Sequence, residues 1–199
     1  MYKLAEYDAL RATIRERGTV RMCVILIGVV AWGALLLALN ASEFERAVTL
    51  VPLLVLTATF EISFFIHTGV ERVGRYLQVF YEDEPPAAAE PALSEHSEPK
   101  GPVEGRSQWR GWENTVMAYG RNNPVGLDPL FITLFVSMAA VNFFGSFPPA
   151  ARHVGWLAIS LVAHLMFGWR LVTARRLSAQ QRALDLERFR ALRQPPASN

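Results

Sequence analysis

The run VRMCVILIGVVAWGALLLAL, Val20 to Leu39, carries eighteen uncharged residues after Arg21. Nothing in the chain constrains its fold more. Crossing a hydrocarbon core of ~30 Å takes roughly 20 helical residues. Inside lipid the backbone has no water to bond to, so such a run must be a helix. Three further runs approach the same length: Ala47 to Ile66, interrupted by Glu61; Pro129 to Phe147; and His153 to Val172, with Arg170 near its end. These runs account for a chain that is 51% hydrophobic and only 19% charged. The sequence therefore predicts an all-α integral membrane protein with four transmembrane helices. The first run is too long for a signal-peptide core, and ALNAS after it is a poor cleavage site, so it reads as a retained helix.

Orientation follows from the basic residues. Eighteen of the twenty lysines and arginines precede or open the first span, lie between the second and third, or lie from Arg170 onward. The two short loops hold only Arg46 and Arg152. Both termini are thus expected in the cytoplasm, and a bacterial inner membrane is the expected location. Trp156 and Trp169, near the two ends of span four, suit the interfacial belts.

The cytosolic parts have their own patterns. Residues 1–18 read as a short amphipathic helix, with Gly18 as a joint before span one. Residues 19–82 read as a two-helix hairpin whose second helix continues inward. In that continuation Val70, Val73, Leu77 and Phe80 recur at helical spacing. His67, Glu71, Arg72 and Arg75 are read as an ordinary wet face, with i,i+4 pairs worth tenths of a kcal/mol. From Glu82 to Arg106 the chain holds five prolines and seven acids and no aromatic residue. Residues 83–106 are therefore expected to be a disordered linker. Residues 107–122, with Trp109 and Trp112 on one side, read as an interfacial helix. The second hairpin spans 128–173, opening with Asp128 as N-cap and Pro129 at the first helical position. Residues 174–199 read as an arginine-rich helix and tail, with Leu177, Leu184, Leu186, Phe189 and Leu192 as a loose apolar stripe. The cytosolic helices are expected to pack on one another or on a partner, or to lie on anionic lipid through their arginines.

Ionisable residues inside a span are functional candidates by default, since each costs roughly 2.5–3.5 kcal/mol at the centre. Measured from the outer ends of their spans, Glu61 lies ~20 Å deep and His164 ~17 Å deep. Spans two and four run in the same direction, so Glu61 and His164 are expected to form an intramembrane polar pair. Thr133 and Ser137 on span three are secondary polar candidates, and Asn142, nearer the outside, is expected to stand apart from them. Three readings of Glu61 stand side by side: an interhelical hydrogen bond, a proton- or cation-linked site, and snorkelling to the inner surface. His67 and Glu71 share a helical face but lack a third ligand, so no metal is expected. No motif calls for a cofactor or for an enzyme's active site. The arginine-rich tail lacks the aromatic interleaving of a nucleic-acid binder. Cys23, the single cysteine, excludes a disulfide within the chain.

The layout of residues 1–82 (helix, two close spans, helical extension) resembles that of the SLATT-type bacterial membrane effectors. That resemblance implies a pore-forming or signalling role and assigns no residue. The leading expectation is a non-enzymatic accessory, scaffold or signalling subunit. It would act through its cytosolic helices by self-association or on another membrane or cytosolic protein. The alternative is an oligomeric ion channel or proton-coupled transporter using Glu61 and His164.

Overall fold

The computed structural model describes residues 2–41, 50–82, 129–150 and 154–193, and their side chains over 4–41, 50–82, 129–145 and 154–193. The expected linker 83–106, the expected interfacial helix 107–122 with Trp109 and Trp112, and Asp128 lie outside the described residues. Within them the chain is all-helical. Helix α1 is Tyr2–Ala41, α2 is Leu50–Leu77, α3 is Pro129–Ala150 and α4 is Val154–Arg193. A π turn, Gln78–Glu82, continues α2.

Three of these helices, α1, α2 with its π turn, and α4, are long and apolar enough to cross a membrane. The apolar stretch of α3, Pro129–Gly145, is shorter. At 1.5 Å per residue α1 and α4, each 40 residues long, measure ~60 Å, twice the hydrocarbon thickness. Each is therefore longer than a single crossing needs. Helix α1 runs through Gly18 without interruption. A glycine there costs the helix about 1 kcal/mol against alanine, which the flanking turns and the packing of α1 on α2 outweigh.

The core is built around Phe60, which is fully buried. Its ring meets Phe64 of α2 at 6.0 Å, Phe131 and Phe135 of α3 at 5.8 and 5.4 Å, and Phe167 of α4 at 6.1 Å. Leu53, Leu56, Met138 and Leu171 fill the space around these rings, and Ile25 of α1 closes the cluster. Next to Ile25, Gly28 lets α1 approach α2 closely. A Cβ at this position would overlap the side chain of Thr59. Small residues at such a contact are what allows helix backbones to come together in lipid. Outside this core the large apolar side chains of α1, α3 and α4, such as Ile27, Val30, Leu130, Phe144 and Leu165, point outward and are exposed. An apolar exterior around a small aromatic core is the arrangement a lipid solvent favours.

Beyond the core the projecting ends pack on one another. The Tyr7 and Tyr81 rings lie 5.7 Å apart, and Tyr76 donates a 3.2 Å hydrogen bond to Glu6. Phe189 of α4 sits edge-on to Tyr76 and Phe80, at 5.8 and 6.3 Å. Of the expected apolar face on α2, Leu77 is fully buried, whereas Val70, Val73 and Phe80 are half-buried.

Candidate functional site

Glu61 and Arg170 form the first polar centre. Arg170 donates Nε–H to Oε1 at 2.6 Å and Nη2–H to Oε2 at 2.7 Å, a bidentate ion pair between α2 and α4. The guanidinium also lies 5.4 Å from the centre of the Phe64 ring. This corrects the expected pairing of Glu61 with His164. The reason is register. Phe60 meets Phe167 edge-on, so Glu61 is level with the turn that follows Phe167. Helical side chains lean toward the N-terminus, so Arg170, three residues further along α4, reaches back to meet it. The spans Ala47 to Ile66 and His153 to Val172 are equally long, so His164 and Arg170 stand equally far from Glu61 in depth, on opposite sides, and depth alone does not choose between them.

His164 forms a separate centre with α3. Its Nδ1 lies 2.7 Å from the Ser160 carbonyl oxygen, and Asn142 Nδ2 lies 3.1 Å from its Nε2. One tautomer satisfies both contacts: a neutral ring that donates from Nδ1 and accepts at Nε2. Asn142, expected to stand apart, is thus the partner of His164, and it is fully buried. Phe143 covers the imidazole edge-on at 5.2 Å. Thr133 and Ser137 join neither centre. Both are exposed, and the Thr133 hydroxyl is spent on the Pro129 carbonyl of its own helix. Trp169 is exposed.

The third centre lies past Ile66, and the sequence reading missed it. Of the residues read as a wet face, His67, Glu71 and Arg75 point inward, while Arg72 stays exposed. Arg75 is only 1% exposed, the largest fully buried side chain among the described residues. Its Nη2 lies 3.2 Å from Asp185 of α4, and its Nη1 lies 3.5 Å from Glu71. Glu71 accepts a 2.5 Å hydrogen bond from Arg182 and one of 3.4 Å from Ser178. Arg72 adds a 3.5 Å contact to Asp185 from the solvent side. Nearer the aromatic core, Arg21 of α1 donates from Nη1 to His67 Nδ1 at 2.8 Å, and His67 Nε2 lies 3.7 Å from Glu71. A continuous polar chain thus joins α1, α2 and α4.

The electrostatics of this chain are those of burial offset by pairing. Burial pushes the Arg75 pKa below its ordinary value, while Glu71 and Asp185 hold it up and Arg182 adds to the fall. It remains a guanidinium at neutral pH. Burial also lowers His67. Glu71 opposes that shift, and Arg21, Arg182 and Arg75 reinforce it. His67 is therefore neutral, accepting at Nδ1 and carrying its proton on Nε2 toward Glu71. The cations of Arg21 and Arg182 on either side of the His67–Glu71 couple oppose a metal ion there.

The α4 extension also differs from its expected pattern. Leu177, Leu184 and Leu192, read as part of a packing stripe, face outward. The seam against α2 is made by Leu171, Ala174, Ser178 and Asp185, all buried. A small, polar seam has little hydrophobic periodicity, so the leucines dominated the pattern.

No protein-family model matches this chain, and neither a curated protein nor a solved structure matches it. The fold and the three centres define it as a helical, membrane-type protein whose internal charges are paired between helices.

Proposed function

We propose that the chain is an integral membrane protein of four spanning helices with both termini in the cytoplasm of a bacterial cell. In this reading α3 is the third span, and the projecting ends of α1, α2 and α4 form a cytosolic three-helix cluster. The protein acts without catalysis, as a scaffold, accessory or signalling subunit, through the outer face of that cluster. One observation carries this reading: Leu177, Leu184 and Leu192 are 39%, 49% and 75% exposed, on a helix whose inward seam is already filled. Leu184 and Leu192 stand ~18 and ~30 Å past Val172 along the helix, beyond the reach of hydrocarbon. Three exposed leucines along one side of that helix, with Gln180, Gln181, Glu187 and Arg188 between them, offer a mixed surface that a partner helix can cover. A helical stripe of leucines fits the face of another helix, from a second copy or a different protein.

The transport alternative loses its central pair. Glu61 is neutralised by Arg170 and His164 is committed to Asn142, so neither carries an open proton-binding position facing the other. Affinity purification from native membranes tests the proposal. The wild-type chain is expected as an oligomer or a defined complex, and Leu184→Glu is expected to release the partner. A wild-type chain that purifies as a monomer with no partner overturns the proposal. Proton or cation flux in liposomes that disappears with Glu61→Gln restores the alternative.

A further inference from the structure

A groove of about 620 Å³ runs between α2 and α4 on the outer surface of the bundle. Its walls are apolar: Leu50, Leu53 and Leu54 from one helix, Ala163, Met166 and Phe167 from the other. Its inner end is closed by Glu61 and Arg170. These two side chains are 39% and 34% exposed, so the ion pair looks into the groove rather than away from it. From Leu50 to Glu61 the groove is ~16 Å long, running from the inner half of the span across its middle toward the outer end.

We propose that this groove binds one zwitterionic phospholipid of the ethanolamine type, with an acyl chain along the leucine wall and its headgroup on the Glu61–Arg170 pair. The proposal rests on the membrane-spanning reading and is independent of the scaffold role. Charge complementarity selects the headgroup. The bonds to Glu61 use Nε and Nη2 of Arg170, which leaves the Nη1 amino group to donate to a phosphate oxygen. A carboxylate has about four acceptor sites, and the Arg170 bonds take two of those on Glu61. The remainder accept from a primary ammonium. An ion pair offers one pole to each charge of a zwitterion, whereas a purely anionic headgroup meets Arg170 but is repelled by Glu61. The guanidinium is held in place by the Phe64 ring as well as by the carboxylate, so little ordering is required on binding. The site lies ~8 Å inside the level of Ile66, and local thinning of the bilayer around intramembrane charges brings the headgroup to it.

Native mass spectrometry of the full-length chain tests the site, with added phosphatidylethanolamine, phosphatidylglycerol and diacylglycerol at equal concentration. One charge-assisted hydrogen bond is sufficient for a preference of about ten-fold. Phosphatidylethanolamine is therefore expected to bind about ten-fold more tightly than either of the others. Glu61→Gln removes the negative charge that attracts the ammonium, keeps Arg170, and should reverse the preference toward phosphatidylglycerol. Met166→Trp fills the groove from a position that is 68% exposed, one turn before Arg170. It should weaken phosphatidylethanolamine binding at least ten-fold while melting as the wild type does. Equal binding of all three lipids, phosphatidylethanolamine retention in Met166→Trp, or a groove protected from lipid by a second copy of the chain overturns the proposal.

Discussion

Replacing Arg75 by methionine removes the cation at the centre of the α2–α4 contact. Arg75 is 1% exposed and faces two carboxylates, Asp185 at 3.2 Å and Glu71 at 3.5 Å. Breaking a buried ion pair by deleting one partner costs about 3–5 kcal/mol, because the other charge stays behind without compensation. Here each acid keeps a second cation: Glu71 keeps Arg182 at 2.5 Å, and Asp185 keeps Arg72, whose side chain is 61% exposed. The loss should therefore fall near the lower edge, about 3 kcal/mol. For a chain of this size that corresponds to a Tm about 6–12 °C lower. Adding Asp185→Leu to Arg75→Met replaces the pair by apolar side chains of similar volume. The double variant should recover to within about 1 kcal/mol of wild type, since exchanging a whole buried pair for apolar packing is often neutral. The assay is thermal unfolding of the purified protein in detergent, followed by circular dichroism, as a double-mutant cycle. A Tm for Arg75→Met within 2 °C of wild type, or losses that simply add in the double variant, refutes the buried network.

Three further outcomes follow from the same geometry. Gly28→Ala should destabilise by about 1–3 kcal/mol, because its methyl group overlaps Thr59 and the packed helices must shift. Gly33→Ala, with open space around it, should be neutral or better by the same melting assay. His67 is held below its ordinary pKa of 6.5 by burial. The protein should therefore lose stability as pH falls below 6.5, while the unfolded chain gains a proton that the folded one resists. The loss stops growing once pH passes the folded pKa. His67→Gln should remove that part of the pH dependence, and an unchanged stability profile between pH 7 and 5 would contradict it. Asn142→Leu takes away the partner of His164 and should cost about 0.6–1.7 kcal/mol, the range of interhelical hydrogen bonds in membranes. Melting curves of Asn142→Leu and of Asn142→Leu/His164→Leu check this, the second being expected to regain part of the loss.

Much of the architecture was legible because it depends on run length and helix breakers. Three apolar runs of near-membrane length became long helices, and the absence of proline between Val154 and Arg193 let α4 continue unbroken for 40 residues. The positions of the candidate residues were legible too, but their partners were not. Glu61 stood out as a charge inside a span, yet its partner depends on how α2 and α4 are offset. That offset is fixed by the aromatic contact of Phe60 with Phe167, which no periodicity within either helix reports. The same offset carries Glu71 to Ser178 and Arg182, and Arg75 to Asp185. Residues 67–82 looked like a solvated face because a helix with charges on one side and leucine and valine on the other ordinarily turns the charges to water. Here acids and arginines on two helices neutralise each other, so the charged side is buried with the apolar one. On α4 the reverse holds: Leu177, Leu184 and Leu192 advertise a packing face that the fold itself leaves outside.

Paired charges lock α2 and α4 side by side in one register, with Glu61 bound to Arg170, and exchanging the two charges tests that lock. Glu61→Arg alone sets guanidinium against guanidinium, and Arg170→Glu alone sets carboxylate against carboxylate, so each should lower the Tm and the yield of folded protein from membranes. The double variant, Glu61→Arg with Arg170→Glu, restores the pair and should melt well above both single variants. A double variant no more stable than the worse of the two singles would contradict that lock.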